Sequence, residues 1–269
     1  MDTSNKKQKI FFLSFGAPSQ NWHDAVNRIC GQAFEFNIFE KIFGYTEKDL
    51  VNDEYFWNKH KNFIKQNKRL FGYGIWKPYL ILKILDKIND NDILLYADAG
   101  CELNSNGKNY FLNVLIPKVN NKYIIGCETT EHTSHSNDQN YTKMDLIKYL
   151  DMEKSNKLHL NHIQSGCFMM KKCDIIVKMF EEYYNIACNY HLIDDTPSVL
   201  PNHSSFKEHR HDQSILSLLV KKYDLLNYDL YPTDWGHTVH AAQNYKKNAM
   251  DYPIWYCRNR TGISMKKFF

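Results

Sequence analysis

The chain has 269 residues, 43% of them hydrophobic and 14% aromatic, which supplies a substantial core and excludes a disordered polymer. Its formal net charge is +4, with lysines spread along the chain rather than clustered, so little argues for a nucleic-acid partner and a small anionic ligand is only weakly favoured. The start MDTSNKKQK lacks the apolar core of a signal peptide, no apolar run is long enough to span a bilayer, and the seven cysteines read as reduced thiols; a soluble, cytoplasmic protein is expected.

In chain order, Lys9 to Phe15 reads as a first strand that ends at the loop Gly16-Ala17-Pro18-Ser19. Helical spacing of Val26, Ile29, Cys30 and Ala33 predicts a helix over 24–36, and 41–45 reads as a short second strand. Thr46 to Asp49 predicts a cap leading into a helix over 50–66. Pro78 stands where a first turn tolerates it, ahead of a helix over 79–88 with Leu80, Ile81, Ile84, Leu85 and Ile88 on its apolar side. Strands are expected at 93–96 and 123–127, and later helices at 173–189 and 212–223. Cys167 and Cys188 lie in apolar surroundings and read as core residues. The stretches 127–141 and 192–206 resist regular structure, and loops of that length are usually functional or mobile. With no repeat and no linker, residues 1–269 read as a single domain whose first eight residues are flexible.

The most informative stretch is Asp92-Ile-Leu-Leu-Tyr-Ala-Asp98-Ala-Gly-Cys-Glu102, an apolar strand that runs into carboxylates. Ligands of parallel sheets sit beyond the carboxyl ends of the strands, which puts Asp98 at the mouth of such a crevice. Glu102 follows four residues later, and hard oxygen ligands suit magnesium or manganese holding substrate phosphates. The plainer alternative is that Asp98 closes the next turn with its own side chain while Glu102 is solvated. Both stay open at this point.

Leu95-Tyr-Ala-Asp98-Ala-Gly100 resembles the strand-end metal motif of GT-A glycosyltransferases, in which an aliphatic strand leads into Asp-x-Asp. Ile163-Gln164-Ser165-Gly166-Cys167-Phe168 is similar to the strand that lines the donor-sugar pocket of glycogenin-like transferases, and His211-Asp212-Gln213-Ser214-Ile215-Leu216 resembles their Asp-Gln helix start. Gly72-Tyr-Gly-Ile-Trp76-Lys77-Pro78 resembles a motif of small glycosyltransferases from bacteria and large DNA viruses. The resemblance implies an α/β fold of GT-A type, with a mostly parallel central sheet flanked by helices. It also implies transfer of a sugar from a nucleotide-diphosphate donor, a uridine one foremost, to a carbohydrate acceptor, in the cytoplasm (the host's if the chain is viral) and with Mn2+ or Mg2+ as cofactor. In one respect the chain departs from the pattern: Gly100 stands where the second aspartate belongs, which puts metal dependence in doubt.

Carried over residue by residue, the resemblance implies donor contacts from Phe15, Gly16, Trp76, Lys77, Tyr96, Asp98, Ala99, Gly100 and Gln213. Arg258 and Arg260 of Arg-Asn-Arg-Thr-Gly are candidate diphosphate partners, because guanidinium forks match phosphate oxygens; for these and for Lys77 a surface ion pair is the alternative. Metal ligation falls to Asp98, with Glu102 or a late histidine, His237 or His240, completing the shell. Asp212 is the candidate catalytic carboxylate that orients the acceptor hydroxyl, or else a helix cap. Gln164 is the candidate amide at the sugar, or else a satisfied core amide. Acceptor recognition is expected in 127–141 and 192–206. The pairs His132/His135, His159/His162 and His237/His240 have a spacing that zinc sites use, but no accompanying Cys pair. Two other readings remain: a metal-dependent phosphohydrolase, and a catalytically silent sugar-binding module.

Overall fold

A computed structural model describes residues 7–128, 136–227, 230, 233–234 and 252–264. From the amino end the chain forms β1 (Ile10–Phe15), α1 (Gln20–Phe36), β2 (Lys41–Tyr45), α2 (Glu47–Val51), α3 (Glu54–Gln66), α4 (Leu70–Tyr73), α5 (Trp76–Leu85), β3 (Ile93–Ala97) and β4 (Glu102–Leu103). It continues through α6 (Lys108–Tyr110), α7 (Ile116–Lys122), β5 (Ile124–Glu128), α8 (Asp138–Tyr141), α9 (Met144–Tyr149), β6 (Ile163–Lys171), α10 (Asp174–Cys188), α11 (Asp212–Lys222), β7 (Thr233–Asp234) and β8 (Ile254–Tyr256).

Five strands make the main sheet in the order β2-β1-β3-β6-β5. β1 is parallel to β2 and β3, and β6 runs antiparallel to both of its neighbours, so β6 alone is reversed. This is the mostly parallel α/β sheet that the GT-A resemblance implied. From β1 the chain adds β2 on one side and then β3 on the other, which opens a crevice beyond the carboxyl ends of β1 and β3. Both faces of the sheet are covered, which is why its strands read as unbroken apolar runs. Leu13, Tyr96 and Phe168 face a core completed by α3, α5, α10 and α11, whereas Phe12, Leu95 and Met169 pack on the other side against Ile29, Ala33 and Phe36 of α1.

The structure departs from the expected boundaries where caps decide the matter. The helix expected over 50–66 is two helices: Thr46 and Asp49 form a capping box that opens α2, and the Asp53 side chain then accepts from the Phe56 N–H to start α3. Pro78 lies inside the first turn of α5, which starts at Trp76. The first helix begins at Gln20, four residues before 24, and β1 and β5 each begin one residue later than expected. All seven cysteines are free thiols; Cys167 is buried and Cys188 half-buried. Among the described residues no helix is long and apolar enough to cross a membrane.

A smaller sheet, β4-β8-β7, fastens the 252–264 segment beside the exit of β3. Glu102 is wholly buried there, accepting from Asn259 Nδ2 at 2.7 Å, Gln32 Nε2 at 3.0 Å and Ser264 Oγ at 2.6 Å. Arg28 of α1 lies 3.7 Å from Glu102 and donates to the carbonyls of Ala99, Cys101, Asn259 and Thr261. One guanidinium thus ties the β3 exit to the carboxyl-terminal segment. Arg28→Ala leaves Glu102 as a buried charge and four carbonyls without their donor. Urea unfolding is expected to show a loss of about 3–5 kcal/mol; a loss below about 1 kcal/mol would mean that the clasp is not structural.

Candidate functional site

The crevice at the carboxyl ends of β1 and β3 is a cleft of about 410 Å³. Phe15 and Gly16 leave β1 into one wall, which Trp22 of α1 continues; Asp98 and Ala99 leave β3 into the floor. Gly74, Trp76 and Lys77 also line it with Asp212 of α11, and the exposed Lys68, Arg69 and Arg260 stand at the rim. Phe15 stacks on Trp76 with centroids 3.9 Å apart, which makes an aromatic wall. At Gly16 a Cβ would lie 2.6 Å from the Trp22 carbonyl oxygen, so only glycine lets the loop pass this close to α1.

The floor is organised by Lys77. Its ammonium, 4% exposed, donates to Asp212 Oδ2 at 2.5 Å and to the Ser165 carbonyl and hydroxyl at 3.0 and 3.2 Å, and lies 3.6 Å from Asp98 Oδ1. Burial opposes that charge, but Asp212 and Asp98 outweigh it and hold the Lys77 pKa above its ordinary value. Ser165 Oγ also donates to Asp212 Oδ2 at 2.9 Å, and the Tyr183 hydroxyl donates to the Asp212 carbonyl at 2.6 Å. The Tyr96 hydroxyl donates to Asp98 Oδ1. Burial pushes the Asp98 carboxyl up, against the pull of Lys77 and Tyr96. Of the two carboxylates, Asp98 has a side chain 38% exposed and Asp212 only 5%, so Asp98 is the more accessible from the cleft.

The rim rests on an unusual backbone. Leu70, Phe71, Gly72, Tyr73 and Gly74 all have positive φ, at 49°, 52°, 81°, 56° and 83°. The Tyr73 and Gly74 N–H groups donate to the Arg69 and Leu70 carbonyls, closing a left-handed turn that L-residues with a Cβ adopt only at a cost. At Gly74 a Cβ would sit 2.8 Å from the Asp212 side chain, so this glycine is needed both for its φ and for the close approach. Asp195 lies 3.4 Å from Arg69 and 3.5 Å from His211 Nε2, and the His211 ring packs on Tyr73 with centroids 4.6 Å apart. Part of the 192–206 stretch is thereby joined to the cleft wall.

Of the residues the sequence put forward, Phe15, Gly16, Trp76, Lys77, Asp98 and Ala99 line the cleft, with Asp212 and Arg260. Tyr96, Gly100, Gln164, Gln213 and Arg258 do not line it. Tyr96 is buried beneath Asp98, and Gln213 Oε1 accepts from the Ser165 N–H at 3.4 Å, behind the wall. Lys77 is neither a surface ion pair nor a free phosphate ligand; it is the buried counter-charge of two carboxylates. Asp212 is not the cap of its helix either, because His211 holds the cap position. His159 is exposed while His162 is buried at 2.7 Å from Asp138, so that pair shares no ligand. His132, His135, His237 and His240 lie outside the described residues, as does the 1–6 start. Lys68, Arg69, Trp22 and Ser165 were not singled out from the sequence. The adjacent basic pair just ahead of Gly72-Tyr-Gly was the available signal for the first two.

The expected Mn2+ or Mg2+ is a poor fit to the donors present among the described residues. Gly100 offers no carboxylate, and a Cβ there would lie 3.2 Å from Arg258 Cα, so the backbones meet where an aspartate side chain would start. Glu102, proposed to complete the shell, is spent in the buried Arg28 clasp. Asp98 shares its Oδ1 with Tyr96 and stands beside an ammonium that repels a second cation. Among the described residues no group of three His, Cys, Asp or Glu side chains is arranged to hold an ion.

No protein-family model matches the chain, and no curated protein matches its sequence. Among solved structures it is similar to a glycosyltransferase involved in the glycosylation of the major capsid of PBCV-1, with a TM-score of 0.45 at 11% identity over 97% of this chain and 96% of that one. It is similar as well to mouse xyloside xylosyltransferase 1 in its apo form, with a TM-score of 0.46 at 9% identity over 96% of this chain and 99% of that one. Likeness of this degree assigns no role to any residue.

Lys77→Met tests the floor. Its removal leaves two neighbouring carboxylates without their cation, with an expected loss of about 3–5 kcal/mol at neutral pH. A group whose folded pKa is raised gives its full stabilisation below its unfolded pKa, so wild-type Lys77 contributes undiminished from acid through neutral pH and fades only in the alkaline range. The deficit of the variant is therefore expected to shrink as acid protonates the orphaned carboxylates. Thermal unfolding of both proteins across that range checks this; a pH-independent difference would show that the pair carries no electrostatic share.

Proposed function

We propose that the protein is a glycosyltransferase that takes a sugar from a nucleoside-diphosphate donor, with uridine diphosphate sugars as the first candidates, and passes it to a carbohydrate acceptor. The supporting observation is the cleft at the switch point between β1 and β3, where an aromatic wall, a cationic rim and one accessible carboxylate meet. In this reading the base lies along the Phe15–Trp22 wall, the rim cations face the diphosphate, and Asp98 accepts from ribose or sugar hydroxyls. As the anomeric bond to the diphosphate breaks, negative charge grows on the leaving phosphate, and fixed cations stabilise it. The acceptor oxygen forms the new bond to the anomeric carbon, and its proton passes to the departing diphosphate, whose oxygen takes the electron pair of the broken bond. Asp212, held through Oδ2 by Lys77 and Ser165, positions that lysine and, through it, Asp98. Residues 1–269 act as one domain, and the acceptor approaches from the 192–206 side, supported by the Asp195 contacts to the rim.

A thermal-shift screen of nucleotide sugars is expected to raise the unfolding midpoint for one donor class. Asp98→Asn is expected to lower kcat/KM with that donor by about a hundredfold or more while the protein stays folded. Unchanged turnover would remove Asp98 from the site. Phosphate release from simple phosphoesters without nucleotide-sugar turnover would replace the proposal with a phosphohydrolase.

A further inference from the structure

Resting on the nucleotide-sugar reading, we infer that this cleft holds the donor diphosphate without a divalent cation: Lys77 is a built-in counter-charge at Asp98 and Asp212, and Lys68, Arg69 and Arg260 bind the phosphates. The lining carries four cations against two carboxylates. Lys77 is committed to those carboxylates, which leaves the three rim cations for a ligand. Lys68 and Arg260 have no carboxylate partner among the described residues. Arg69 is paired only at the surface, with Asp195 at 3.4 Å and both side chains about half exposed, so the pair is weak and can be exchanged for a phosphate. Arg260 lies over the Trp22 ring at 5.2 Å, which fixes a guanidinium beside the wall assigned to the base.

A divalent ion bridging Asp98 and a diphosphate would have to sit beside an ammonium 3.6 Å from the same Asp98 oxygen. Among the described residues, the positions that would strengthen its shell are closed: residue 100 is a glycine pressed against the Arg258 backbone, and Glu102 points into another cluster. Three rim cations instead oppose the charge of a diphosphate, and guanidinium forks suit its oxygens.

The test is binding rather than turnover. Uridine, guanosine and cytidine diphosphates are titrated calorimetrically into the full chain, once with EDTA and once with manganese. The same affinity in both buffers is expected for the nucleotide that binds, and Arg260→Ala and Lys68→Ala are each expected to weaken it about tenfold in both. Manganese titrated alone, followed by the paramagnetic resonance of the free ion, is expected to find no site. Binding that EDTA weakens by more than about tenfold and manganese restores would overturn the inference while leaving the glycosyltransferase reading in place. So would a manganese site on the free protein that Asp98→Asn removes. If no nucleoside diphosphate binds in either buffer, the nucleotide-sugar reading fails and the inference falls with it.

Discussion

A lysine ammonium shut away from water stays charged only if carboxylates hold it, and the site of this protein is built around that constraint. Lys77 comes from α5, Asp212 from α11, Ser165 from β6 and Asp98 from the exit of β3, so the one ammonium sets the mutual placement of four elements. Tyr183 adds α10 by donating to the Asp212 carbonyl. Of the two carboxylates around this cation, Asp98 is the more accessible from the cleft. Neutral partners in those places would remove the repulsion and also the reason for the geometry.

The same constraint accounts for the left-handed turn at the rim. Five successive residues with positive φ cost about 1–2 kcal/mol for each that is not glycine. Such a turn persists because its surroundings over-determine it. Gly74 lets the backbone lie against Asp212, the Trp76 indole N–H donates to the Leu70 carbonyl at 2.9 Å, and Tyr73 packs on His211. Strain of this kind gathers where a fixed shape matters more than local comfort. Here it presents Lys68 and Arg69 on the lip of the cleft, with Lys77 a few residues further on at its floor.

How much of this the sequence revealed depended on whether each feature is local. The strand into Asp98 was readable because an unbroken apolar run followed by a carboxylate is a one-dimensional pattern, and the same holds for β2, α10 and α11. Helix boundaries were less readable: nothing in the periodicity of 50–66 marks Asn52 as a break, whereas in the fold the Asp53 side chain capping the Phe56 N–H does. The site was legible as a list and not as an arrangement. Lys77 and Asp212 were both named, one as a candidate phosphate partner and the other as the carboxylate at the acceptor hydroxyl, but a contact across 135 positions has no local signature, so their pairing was not legible. Glu102 misled because four residues from Asp98 is near in sequence, while β4 turns its side chain towards Arg28 and Asn259.

Buried cations elsewhere in the protein show what is particular about this one. Lys221 is wholly buried against Asp138, which His162 also contacts, and Arg28 is buried in the clasp around Glu102. Each fastens an irregular segment to regular structure: α8 and its loop in one case, the 257–264 segment in the other. Irregular segments lack a hydrogen-bond ladder, and a charged group with several donors satisfies many carbonyls from one point. Lys143 does the same for the 192–196 stretch, donating to the His191 and Thr196 carbonyls and to Asp194, beside a second cavity of about 360 Å³. In all three the carboxylate is itself enclosed, with Asp138 and Glu102 wholly buried and the Asp194 side chain 14% exposed. Around Lys77 alone of these four does a second carboxylate remain, open to a cleft and opposed by cations that have not been paired off internally. In the other three the ion pair is closed off from solvent, so fastening accounts for it; at Lys77 the ammonium is shared between an enclosed carboxylate, Asp212, and one whose side chain is 38% exposed, Asp98.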